Sequence, residues 1–240
     1  MGAHVYIIDT GINPNHVDFG QRATQDYGKE DCNGHGTHCA GTIGSATYGI
    51  ATGAMLHGVT VLGCSGAGSV SDIIAGCEYV VINGERPAVA SLSLGGGPSS
   101  AFDDAIRGMI NVNITVSVAA GNDNSDACNY SPARVTEAIT VGATENTDVR
   151  SYFSNYGECV NIFAPGTDIT STWYKNKRAT NTLSGTSMAC PHVAGIAALH
   201  LANDPSMTPK EVANKIYNDA TPDIILDPGQ GSNNRLVYAA

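Results

Sequence analysis

Apolar residues along this chain fall into two periods. Short runs rich in β-branched residues, at positions 5–9, 56–62, 88–94, 114–120 and 138–143, are separated by intervals long enough for a helix. Runs of that length without alternation are what strands buried on both faces require, so they predict a parallel sheet covered by helices on each side. Two of the intervals show helical spacing: Ile73, Ile74, Cys77, Val80 and Val81 after SVSD, and Phe102, Ile106, Met109 and Ile110 after PSS. A further helix is predicted at TPKE, where Thr208 caps, Pro209 takes the first helical position and Glu211 completes a capping box.

Composition narrows this picture. With 240 residues, 42% of them hydrophobic, the chain can bury one sizeable core. A formal charge of -10, read as having no compensating Lys/Arg patch, argues against nucleic acid and against an anionic membrane as partners. No run approaches the length of apolar residues that spans a bilayer, and MGAHVYIIDTG enters a strand without a basic leader. Seven cysteines suit an oxidising compartment, and their odd number leaves at least one unpaired. Together these features suggest a piece of a secreted precursor, with Met1 an added initiator.

Chemistry concentrates in a few stretches. DCNGHGTHCAG crowds two histidines, two cysteines and an aspartate among glycines, and local spacing leaves open a metal site using Cys32, His35, His38 and Cys39, a disulfide corner, or a turn that aims a base. Loops beyond the carboxyl ends of parallel strands converge over a crevice, and both Asp9 and Asn122 stand at such ends. Ser187, in SGTSMACPHVAGIAALHL, is predicted at a helix amino terminus, with Pro191 expected in the first turn, where proline is tolerated. Alone, each has a bland role: a turn aspartate, a structural histidine, a capping serine. Jointly, Asp9, His35 and Ser187 supply orienting acid, base and nucleophile, while Asn122 could donate to an oxyanion beside the Ser187 N–H. A dinucleotide enzyme is disfavoured because no G-x-G-x-x-G follows the first strand, and GTSMA is not the G-x-S-x-G of α/β-hydrolases.

YIIDTGI, NGHGTHCAGTIG, ASLSLGGG, VAAGNDN and SGTSMACPHVAG, in this order, resemble the motifs of subtilisin-type serine proteases, especially the proteinase K branch and its secreted bacterial relatives. The resemblance runs from about residue 4 to the end. It implies an α/β, three-layer subtilisin-like fold with a mostly parallel central sheet, truncated at its amino terminus, and a single peptidase domain over 1–240. It also implies a monomeric, extracellular serine endopeptidase acting on proteins and peptides, with a propeptide in its precursor. Asp9, His35 and Ser187 become the catalytic residues, Asn122 and Ser187 the oxyanion hole, and His38 a structural residue of the following helix.

The same resemblance implies a peptide groove between Gly66, Ala67 and Gly68 on one side and Ser93, Leu94 and Gly95 on the other. Ala119, Ala120 and Gly121 would wall the primary specificity pocket, with no acidic residue among them, so apolar or aromatic side chains are expected before the scissile bond. Disulfides are implied between Cys32 and Cys64 and between Cys128 and Cys159, leaving Cys39, Cys77 and Cys190 as inert thiols. No cofactor is expected for the chemistry. A structural calcium is expected near Thr136, Ala138 and Asn161, weak because Asn161 is neutral where proteinase K has a carboxylate. The sequon at Asn113 overlaps a predicted core strand and is expected to be silent; a second lies at Asn129. The competing expectation is a truncated protease-like domain that binds peptides without turnover.

Overall fold

In the computed structural model, which describes residues 2–239, the predicted runs become strands of one sheet. Met1, taken above as an added initiator, lies outside the described residues. In chain order the elements are β1 (His4–Asp9), β2 (Ala23–Tyr27), α1 (His35–Gly44), β3 (Met55–Thr60), α2 (Val70–Asn83), β4 (Ala88–Leu92), α3 (Ser100–Asn111), β5 (Ile114–Ala119), β6 (Ile139–Thr144), β7 (Ile162–Pro165), β8 (Ile169–Thr172), β9 (Thr180–Leu183), α4 (Thr186–Asn203), α5 (Pro209–Asp219), β10 (Thr221–Pro222) and β11 (Arg235–Leu236). The sheet runs β10-β11-β7-β6-β5-β4-β1-β3-β2, parallel except where β10 meets β11, while β8 and β9 form a separate antiparallel hairpin.

Side-chain alternation builds the three layers. On β1, Val5 and Ile7 join the core beneath α1, α4 and α5, while Tyr6 and Ile8 join the core beneath α2 and α3. A strand with apolar neighbours on both faces has no polar side to show, which is why these runs read as continuous rather than alternating. The fold is a three-layer α/β architecture with a largely parallel central sheet, as expected. Ser69 caps α2, Ser99 caps α3, and Thr208 with Glu211 forms the predicted capping box of α5.

One expectation needs correction. Pro191 is the sixth residue of α4, past the first turn. Its missing N–H frees the carbonyl of Ser187, four residues earlier, and that oxygen instead accepts the Ser93 hydroxyl at 2.9 Å and the Cys39 thiol at 3.4 Å. The proline is tolerated inside the helix because tertiary donors replace the lost one. The Asn113 sequon overlaps a core strand as expected, through Ile114 and Thr115 of β5, while Asn113 itself is exposed, with φ of 64°, immediately before the strand.

Candidate active site

β1 and α1 bring the first two residues together. Asp9 closes β1 with its side chain buried, and His35 opens α1. His35 Nδ1 lies 2.8 and 2.9 Å from the two Asp9 carboxylate oxygens, and the Thr10 N–H donates to Oδ1 at 2.7 Å. A ring nitrogen facing a carboxylate carries the proton, which leaves Nε2 as the acceptor. Burial pushes the His35 pKa down, but the Asp9 charge and hydrogen bond push it up, Asp31 adds to that, and the net direction is upward.

Asp31, the aspartate of DCNGHGTHCAG, is a buried carboxylate to which the local sequence assigns no role. Its Oδ1 accepts from the Thr10 hydroxyl and from the N–H groups of Asn33 and Gly34 at 2.7 to 2.9 Å, and its Oδ2 accepts from both Thr37 donors at 2.6 and 3.0 Å. One side chain thus ties the end of β1 to the first turn of α1. A Cβ at Gly34 would meet the Trp173 ring, so the turn before His35 is roofed by an indole that only glycine admits.

The four-ligand zinc arrangement does not assemble. Cys32 is joined to Cys64, and His38 Nε2 is 2.9 Å from the Ile169 carbonyl. His38 is buried, and burial lowers its pKa to about 4, with the nearby His35 adding to the depression against the help of backbone hydrogen bonds. Asp9, His35 and Cys39 do place a carboxylate, an imidazole and a thiol within 4.8 Å of one another, a group that could coordinate a metal ion. Cys39, Cys77 and Cys190 are free and buried, and burial pushes all three thiols up, Cys77 to about 12.

Ser187 is the second residue of α4, so its N–H belongs to the first turn, whose donors have no intrahelical partner. Its hydroxyl donates to the Ser93 carbonyl at 3.1 Å rather than to His35. Asn122 is aimed by Thr186: its Oδ1 accepts from the Thr186 N–H at 2.9 Å and hydroxyl at 3.0 Å, while the Gly121 N–H donates to the same hydroxyl oxygen at 3.1 Å. A Cβ at Gly185 would lie 3.6 Å from Ser187 N and 3.8 Å from Asn122 Nδ2, so the two donors border the same spot.

Two adjoining pockets meet at Ser187. One contains His35, Gly66, Ala67, Gly68, Ser93, Leu94 and Gly95; the other contains Ala119, Ala120, Gly121 and Asn122 and has a volume of about 320 Å³. Asp123, outside the Ala119–Gly121 stretch, also lines the second pocket. Asn155 sets this wall. Its Nδ2 donates to the Ala120 carbonyl at 2.9 Å, its Oδ1 accepts from Asp123 and Ser125 N–H groups, and a Cβ at Gly121, where φ is +104°, would strike its amide. Asp31, Thr186 and Asn155 were invisible as site residues because nothing in their immediate sequence announces which distant backbone groups they serve.

Both halves carry a disulfide. Cys32–Cys64 ties the His35 turn to the Gly66 loop, and Cys128–Cys159 braces the chain beyond Asn122, with Cα separations of 5.0 and 5.3 Å. With sequence separations of 32 and 31, the chain-entropy model gives a stabilisation of about 3.7 kcal/mol each. Thr136 and Asn161 share a cleft with Arg134 and Glu158, whereas Ala138 is buried away from its lining. Asn161 Oδ1 already accepts the Thr140 N–H at 2.8 Å. Among the described residues no helix is long and apolar enough to cross a membrane.

The model of the Subtilase family matches residues 1–238. Over 99% of its length the chain is 54% identical to the "Extracellular serine proteinase" of Thermus sp. (strain Rt41A) and 49% identical to "Alkaline serine exoprotease A" of Vibrio alginolyticus. It spans 60% and 45% of those relatives' own lengths. The structure described as "Crystal structure of a cold adapted subtilisin-like serine proteinase" superposes with a TM-score of 0.97 at 46% identity, covering 100% of this chain and 89% of that one. The chain belongs to the subtilase family.

Proposed function

We propose that this chain is a serine endopeptidase that works through an acyl-enzyme. The observation that carries the proposal is the buried Asp9–His35 pair opening, with Ser187, onto one cleft. His35 Nε2 takes the Ser187 proton as Oγ attacks the peptide carbonyl, and the carbonyl oxygen gathers negative charge between the Ser187 N–H and the Asn122 NH₂. His35 then returns the proton to the leaving amine, and water repeats the sequence on the ester. Asp9 keeps the imidazole in the required tautomer and stabilises its charged form without itself taking the proton.

Peptide would pair with the main chain of Gly66, Ala67 and Gly68 and of Ser93, Leu94 and Gly95. Apolar or aromatic side chains before the scissile bond suit the Ala119–Gly121 wall, with broad tolerance. The names of the relatives support an extracellular, oxidising setting, which also suits the two disulfides. A single peptidase domain, a monomer, and a propeptide in the precursor complete the proposal. Calcium at Thr136, Ala138 and Asn161 would be held weakly, because Asn161 supplies a neutral oxygen where a carboxylate would bind more tightly, and it would act on stability rather than on the chemistry.

A peptide-binding domain without turnover is the second reading, favoured by the Ser187 hydroxyl bonding to Ser93 instead of His35. A fluorophosphonate probe separates the two: labelling mapped to Ser187 establishes an activated nucleophile, and absence of labelling in folded, oxidised protein leaves the binding reading.

A further inference from the structure

The charge pattern expected from sequence needs one correction. Three of the 12 cations, Lys175, Lys177 and Arg178, fall within four consecutive residues, on the loop that joins β8 to β9. All three are exposed, and among the described residues none of them makes an ion pair. In a chain of net charge -10, this is a concentrated positive tip on an otherwise acidic body.

The tip is held against the base half of the cleft by its backbone. The Val17 N–H donates to the Lys177 carbonyl at 2.9 Å, Asn13 Nδ2 donates to the Tyr174 carbonyl at 3.1 Å, and Trp173 at the loop's start covers Gly34, next to His35. The carbonyls face the protein and the charged side chains are left to solvent. Lys177 also lines a pocket with Asn15, His16 and Gln21, which contains no carboxylate to neutralise it.

Direction along the cleft follows from the pocket arrangement. The Ala119–Asn122 pocket lies on one side of Ser187, and the groove of Gly66–Gly68 and Ser93–Gly95 continues from it. A peptide must therefore leave on the opposite side. β9 leads from the tip toward Ser184, Gly185, Thr186 and Ser187, and none of Lys175, Lys177 and Arg178 lines either cleft pocket, which leaves the tip for the side of Ser187 away from them; the nine residues from Arg178 to Ser187 bound its distance from Ser187 at about 30 Å. Resting on the peptidase proposal, we infer that Lys175, Lys177 and Arg178 select substrates carrying Asp or Glu several residues after the scissile bond, in the leaving segment. Opposite charges steer encounter and add modest affinity for each exposed pair, while the acidic remainder of the molecule repels the same peptide, so a preference for acid must come from the tip.

The test uses three fluorogenic peptides identical on the acyl side and over about four residues after the bond, then differing over the next six: Asp/Glu-rich, uncharged, or Lys-rich. Wild-type kcat/KM for the acidic peptide should exceed that for the uncharged one by about fivefold at 0.01 M salt and match it at 1 M, where the Debye length shrinks from about 30 to 3 Å. The triple variant Lys175→Ala/Lys177→Ala/Arg178→Ala should lose the preference while cleaving the uncharged peptide as wild type does. Equal rates for acidic and uncharged peptides at low salt, or a preference that survives in the triple variant, overturns the inference. Failure to cleave even the uncharged peptide would count against the peptidase proposal instead. Fluorescence anisotropy with the same peptides then decides: tighter acidic binding lost in the triple variant supports the tip, and equal binding refutes it.

Discussion

Asp9 and His35 are locked by two contacts of 2.8 and 2.9 Å and by the five hydrogen bonds that Asp31 accepts behind them, whereas the Ser187 hydroxyl has one partner, the Ser93 carbonyl, and no hydrogen bond to His35. On the proposed mechanism, the base half is thus set before substrate arrives, and the nucleophile half keeps one rotor free. The difference has a physical reason. Burying the Asp9 charge costs desolvation that only fixed partners offset, while a neutral hydroxyl turns between acceptors for little energy. Loose nucleophile geometry in a site without substrate is compatible with turnover, since catalytic hydrogen bonds often tighten only in the complex.

The strongest way to break this comparison is to remove its members. Ser187→Ala and His35→Ala should each lower kcat by about 10⁶-fold, and Asp9→Asn by about 10⁴-fold, with peptide binding retained. Steady-state peptide hydrolysis checks this, and wild-type turnover in either of the first two variants would end the assignment. Next in size, Asn122→Ala should reduce kcat by about 10² to 10³, or roughly 2.7 to 4 kcal/mol, with KM little changed, because its NH₂ counts mainly once the oxygen is charged. A change confined to KM would make Asn122 a positioning group.

A smaller effect probes the hairpin's anchor on the base half. His38, bonded to the Ile169 carbonyl, has a pKa lowered to about 4 in the fold against 6.5 when unfolded. A depressed histidine pKa means that the unfolded chain binds the proton first. Stability is therefore whole above pH 6.5 and falls as pH drops toward 4, by about 3 kcal/mol. Urea unfolding of wild type and His38→Gln at pH 6.5 and 4 should show the difference between them shrinking by that amount; a constant difference would show that His38 takes no part.

The smallest effect sharpens the comparison most. Asp31→Asn keeps shape but removes a negative charge that raises the His35 pKa, so the acidic limb of the kcat/KM profile should move to lower pH. Because the base must be neutral, activity at low pH would rise relative to the maximum, while the maximum itself falls about tenfold as the turn loosens. An unmoved limb would reduce Asp31 to a purely structural tie.

Much of the architecture was legible locally. Five runs of β-branched residues became β1, β3, β4, β5 and β6, with ends shifted by one or two residues, and TPKE capped α5 as its side-chain chemistry requires. The strands that escaped notice lacked such a signal. β2, ATQDY, buries only Ala23, and β7, β8 and β9 are four residues each, too short for a period to show. The misplaced Pro191 is instructive: a rule about helix hydrogen bonds holds for the helix alone, and Ser93 and Cys39, remote in sequence, relieve it.

By itself, then, the sequence determined the local terms: which runs are apolar on both faces, which residues cap helices, and which side chains can give, take or hold a proton. Those depend on residue type and near neighbours. Tertiary structure alone decided that Asp31 organises the His35 turn, that Thr186 and Asn155 set Asn122 and the pocket wall, that Asp123 faces that pocket, and that the cationic loop lies beside the base. Each of these is a contact between segments tens of residues apart, and such contacts exist only once burial has brought the segments together.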